Sequence, residues 1–138
     1  MTINLIAVLV AAVVQFIIGA IWYTPLFGKL WGKIHGFDTL NPEVQAEIQK
    51  KMMPLLVWQF VVTVVTTFVF ALFIETLAAG WNVYGLAFHL WLGFVVPTQV
   101  GAVLFGGTKP EWIVTKIAIM AGGSLACLLA AAFVLSTL

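Results

Sequence analysis

The charged side chains of this chain stand in clusters, and the intervals between them decide what it can fold into. Residues 1–28, 52–74, 76–108 and 117–138 contain no Asp, Glu, Lys or Arg. A hydrocarbon core of ~30 Å is crossed by roughly 20 apolar residues in a helix. Three of the intervals therefore hold one span each. The longer one, 76–108, opens on the turn-like Ala79-Gly80-Trp81-Asn82, which moves the start of its helix to Tyr84. The expected spans cover about 3–23, 54–77, 84–105 and 112–135, with a first loop over 24–53. This is an all-α polytopic membrane protein, a bundle of four transmembrane helices forming one domain over residues 1–138.

Composition agrees. Only 8% of the residues are charged and 63% are hydrophobic, against about 25% charged in a soluble domain. A net charge of +1 supplies no basic footprint for nucleic acid. The bilayer is the expected partner. The first residues, Met1-Thr2-Ile3-Asn4, carry no Lys or Arg and no small-residue cleavage site comes after them, so the first helix is expected to stay in the mature protein.

All six Lys lie in or beside the first and third loops: Lys29, Lys33, Lys50 and Lys51 in one, Lys109 and Lys116 flanking the other. By the positive-inside bias these loops face the cytoplasm, and four spans then put both termini outside. Trp22, Tyr23, Trp31, Trp58 and Trp112 fall near the inner boundary, and Trp81 and Tyr84 near the outer one, as amphipathic rings that favour the headgroup level should. Trp91 alone reads as deeper.

Within the first loop, Thr24-Pro25 is expected to stop the first helix, because a residue preceding proline is pushed out of the α region. Asn41 can cap a new helix, Pro42 suits its first position and Glu43 its positive end. This gives a short interfacial helix to about Lys51, with Glu47 and Lys51 paired at i,i+4.

A four-residue stripe of small or polar residues runs along every span. The first carries Ala7, Ala11, Gln15 and Gly19; the second Gln59, Thr63, Thr67, Ala71 and Glu75. The third carries Gly85, His89, Gly93, Pro97 and Gly101, and the fourth Ala118, Gly122, Ala126 and Ala130. Lipid offers no hydrophobic drive for association, so small residues and polar cross-helix bonds mark helix interfaces. The stripes are expected to face one another, with Gly19, Gly93, Pro97, Gly101, Gly122 and Ala126 as packing positions.

An ionisable group inside a span is a functional hypothesis by default. Glu75 ends the second span and His89 lies ~7 Å into the third from the same side, counting ~1.5 Å per residue. The turn between those spans is short enough to make them antiparallel neighbours, so Glu75 and His89 are expected to interact near the outer surface. Gln15, Gln59, Gln99 and Lys116 fall nearer the inner side. Together with Thr63 and Thr67 these residues form the candidate polar path or ion site.

Catalytic machinery is not legible. Cys127 is the sole cysteine, Ser124 and Ser136 the only serines, and His35 and His89 have no metal-ligand spacing. Neither a metal nor a cofactor is expected, and no enzymatic activity.

The segment Gly19-Ala20-Ile21-Trp22-Tyr23-Thr24-Pro25-Leu26-Phe27-Gly28-Lys29-Leu30-Trp31, followed by Trp91-Leu92-Gly93-Phe94 and by Leu104-Phe105-Gly106 before Trp112, resembles the small bacterial integral membrane proteins grouped as domain of unknown function 1761. The resemblance covers nearly the whole chain. It implies a four-helix membrane protein and brings no activity, cofactor or catalytic residue. A weaker internal echo links Gly19-Ala20-Ile21, Leu26-Phe27-Gly28 and Trp31 to Gly101-Ala102-Val103-Leu104-Phe105-Gly106 and Trp112, as two helical hairpins related by an axis along the membrane normal would show.

Three function classes are compatible with these features. The first is an oligomeric channel or small carrier, whose small-molecule or ion substrate the sequence does not name and whose path forms between protomers of a homo-oligomer. The second is a structural or accessory protein whose polar residues only pack the bundle. A lipid-modifying enzyme has least support.

Overall fold

The computed structural model describes residues 2–77 and 80–138, so the expected turn residue Ala79 lies outside the described residues. The chain is helical almost throughout, and four of its helical segments are long and apolar enough to cross a membrane: Leu5–Leu26, Pro42–Thr76, Val83–Phe105 and Pro110–Thr137. Asparagines start three of them. The side-chain oxygens of Asn4, Asn41 and Asn82 accept from the backbone N–H groups of Ala7, Val44 and Gly85, satisfying donors that a helix start leaves orphaned. Asn82 thereby places the start of the third span at Val83.

The first span is α1 (Leu5–Ile21) continued without a break by a π-helical turn, Trp22–Leu26. Pro25 does not stop the helix as expected. Its missing N–H is absorbed by a wider ring, in which the Phe27 N–H reaches back five residues to the Trp22 carbonyl at 2.9 Å. The short helix α2 (Gly28–Ile34) comes next. The second span is α3 (Pro42–Thr76), one helix of 35 residues. The interfacial helix and the second span, expected as separate pieces, are therefore fused through Pro54. The carbonyl that Pro54 leaves without a donor belongs to Lys50, which is exposed where water can take the bond. Lys51 pairs with Glu47 at 3.5 Å, as its spacing implied.

The third span is α4 (Val83–Leu90), a second π-helical turn over Trp91–Val95, and α5 (Val96–Phe105). Pro97 stands just beyond this turn, and the Val96 N–H reaches back five residues to the Trp91 carbonyl. After a 3₁₀ turn over Pro110–Trp112, α6 (Ile113–Thr137) completes the fourth span. The two halves of the internal echo differ in backbone, since the π-turn of the first has no counterpart within Gly101–Gly106.

Across the bundle the spans stand in the order second, first, fourth, third, with α1 packed most extensively on α6. Ala11, Ala131 and Ala132 on that seam have no exposed surface, and such small residues let two backbones approach closely. The second and third spans are not packed along each other. They meet only through the core cluster, in which Phe70 joins Leu86, Ala87, Leu128 and the seam alanines. This overturns the expectation that they are antiparallel neighbours.

Candidate functional site

The polar side chains inside the bundle form two hydrogen-bonded groups. The first joins the first span to its flanking spans. Gln15 is 6% exposed and Thr67 1%; the Gln15 amide donates to Thr67 Oγ1 at 2.6 Å and to the Ala11 carbonyl at 3.2 Å. The Thr67 hydroxyl in turn donates to the Thr63 carbonyl at 2.7 Å. On the other flank the Cys127 thiol donates to the Gln15 carbonyl at 3.5 Å. Each polar group thus has a partner in a region where water is absent.

The second group converges on one stretch of α6. Three consecutive carbonyls there, of Ile119, Met120 and Ala121, accept from side chains of other spans. The Trp22 indole donates to Ile119 at 2.9 Å, Gln99 to Met120 at 3.4 Å and the Trp91 indole to Ala121 at 2.8 Å. Ser124 completes the group, accepting from Trp91 at 3.2 Å and donating to Gln99 Oε1 at 3.4 Å. Gly122 and Gly123 open the space. A Cβ on either would lie 2.9 Å from the Trp22 ring, so the indole can lie against the helix only because both side chains are missing. Both tryptophans open the π-turns of their spans.

On the lysine-bearing side, α2 and the start of the fourth span clasp each other. Lys116 Nζ sits 5.7 Å from the centroid of Trp31, and Lys33 Nζ 5.9 Å from that of Trp112. Lys116 also donates to Thr108 Oγ1 at 3.5 Å, and Tyr23 meets Trp31 edge-on at 4.9 Å.

Glu75 and His89 are not brought together: among the described residues the two form no ion pair within 4.0 Å. Glu75 is exposed and edges a recess of about 180 Å³ with Asn4, Ala7 and Ile74 at the end opposite the lysines. His89 is exposed on the third span. Its Nδ1 bonds to the Gly85 carbonyl at 2.6 Å and its ring lies against Trp81 and Phe88. The physical reason is the order of the spans, which puts the first and fourth between the second and third.

The stripes divide accordingly. Ala7, Ala11 and Gln15, and Thr67 and Ala71, face inward as expected. Gln59 is exposed and Thr63 half-buried. On the third span the expected face is turned outward: His89, Gly93 and Pro97 are exposed, and a Cβ on Gly93 or Gly101 would meet nothing within 4 Å. The residues facing α6 are instead Ala87, Trp91, Val95, Gln99 and Val103, one stripe over. Gly19 likewise has open space. Gly122 packs against Trp22, and Ala126 is half-buried. The signal for the correct face was Trp91, a tryptophan too deep for headgroup water, whose N–H must find an acceptor inside the bundle.

The profile of the family described as "Protein of unknown function (DUF1761)" matches residues 6–136. No curated protein and no solved structure matches the chain.

Proposed function

The chain belongs to this family of unknown function, a four-helix membrane protein, and on that premise we propose that it is an oligomeric channel or small carrier whose polar path lies between protomers. The observation that supports this reading is the outward face of the third span. His89, Gly93, Pro97 and Thr98 are all exposed there, and the Nε2 of His89 has no protein partner among the described residues. Hydrocarbon cannot solvate an imidazole nitrogen, and small residues beside it permit the close approach of another helix. A second copy of the chain answers both needs, and Gln59 is a further polar group on an uncovered surface. Inside one protomer, by contrast, Gln15, Thr67, Trp91, Gln99 and Ser124 are occupied with one another, which leaves the interior to packing. The proposal places the protein in a bacterial cell membrane with its lysine-bearing loops in the cytoplasm, and assigns no residue a catalytic step.

The test combines crosslinking with flux. In a Cys127→Ala background, Gly93→Cys is expected to crosslink two copies in lipid, whereas Leu9→Cys, on an exposed apolar face of α1, is not. Vesicles carrying the protein are expected to pass protons or small ions, and His89→Ala to lower that flux several-fold. A chain that stays monomeric in lipid and passes nothing would favour the second reading, a structural or accessory protein. The observation behind that alternative is the set of cross-span bonds inside one protomer.

A further inference from the structure

We propose that α2 and the start of the fourth span form a binding site for the phosphate of an anionic phospholipid. Two cation–aromatic contacts cross between these elements, Lys33 on Trp112 and Lys116 on Trp31, so each element contributes one ammonium and one ring. Every polar group they present is a donor. An ammonium carries three N–H donors and an indole one, and neither group accepts. Among the described residues neither lysine has a carboxylate within 4.0 Å, since the ion pair in the chain is Glu47–Lys51. Among the described residues neither the Trp31 nor the Trp112 indole N–H donates to a protein acceptor, in contrast to those of Trp22 and Trp91. The aromatic faces hold the two cations in place without neutralising them, because attraction to a ring quadrupole leaves the charge intact. Lys116 is further fixed by Thr108.

Two positioned ammonium groups with free donors and no counter-charge constitute an anion site. Its depth selects the anion. Both elements flank the membrane boundary, where tryptophans gather at headgroup level and an anionic leaflet attracts lysines. The phosphate of a lipid arrives there by diffusion in the plane of the bilayer, and its acyl chains are accommodated by the exposed apolar residues Leu26 and Val114.

Native mass spectrometry of the full chain in detergent tests this, with phosphatidylglycerol, phosphatidylcholine and inorganic phosphate as probes. Phosphatidylglycerol adducts are expected to exceed phosphatidylcholine adducts at least ten-fold. Lys33→Gln with Lys116→Gln should abolish that preference. Lys50→Gln with Lys51→Gln removes the same amount of charge from the same side of the membrane and should preserve it, and arginine at 33 and 116 should retain it. Should the first double variant fail to fold, Lys33→Gln alone, at an exposed position, reads the same loss at about three-fold. Equal retention of phosphatidylcholine, or an equal loss on changing Lys50 and Lys51, would overturn the site. Retention of inorganic phosphate without phosphatidylglycerol would overturn its assignment to a lipid.

Discussion

Trp22 is the residue on which the seam between the first and fourth spans turns at its lysine-bearing end. Its ring covers Gly122 and Gly123 while its N–H meets the Ile119 carbonyl. Gly122→Leu would push a side chain into the ring, and overpacking of this kind costs about 1–3 kcal/mol. Thermal unfolding in detergent should show the loss. Gly93→Leu, facing open space, should leave the unfolding temperature of the single chain unchanged and weaken self-association instead. A matching drop for both variants would mean that the third span packs by its glycine stripe after all. The glycine half of the contact was legible in the sequence, since Gly122 lies on a small-residue stripe. The tryptophan half was not: Trp22 sits beside Tyr23 at a membrane boundary, where an aromatic ring needs no protein partner to be satisfied.

At the scale of elements, regular helical spacing located the spans and misplaced one face. Four apolar segments are implied by the charge-free intervals alone, and each is present in the fold within a few residues of its expected position, the second extended by a loop segment that became helix. What spacing could not carry is which of two stripes faces the partner. Ala87, Trp91, Val95, Gln99 and Val103 keep the same four-residue step through the π-turn as His89, Gly93 and Pro97 do, and it is the first set that turns toward α6. Neither Pro25 nor Pro97 acts as a terminator, because the wider turn beside each one takes up the missing bond. Trp91 is the anchor of the third span, and Trp91→Phe, which keeps an aromatic ring and deletes the indole N–H, should cost about 1 kcal/mol, in the range of an interhelical bond in a membrane. Trp58, 68% exposed, provides the comparison: Trp58→Phe should leave the unfolding temperature where it is.

For the whole molecule, the six Lys share one end of the bundle, and that end should face the cytoplasm. In a Cys127→Ala background, an impermeant thiol reagent applied to intact cells should label Trp81→Cys and spare Asp38→Cys; labelling of the latter alone would invert the topology. The candidate polar pair, Glu75 and His89, was the least legible feature, because nothing in either span states which helices are neighbours: only the order of the spans separates them, and that order is set by the alanine seam of α1 and α6. The seam also bears on biosynthesis. Chains are made from the N-terminus, so α6 leaves the ribosome after the other three spans. Until it does, the first two spans can join through Gln15 and Thr67, while Ala11 and the Trp22 indole still lie against lipid and the third span lacks the helix it packs on most. Insertion should therefore yield a bonded hairpin and a waiting third helix, and the arrival of α6 should lock both in a single late step.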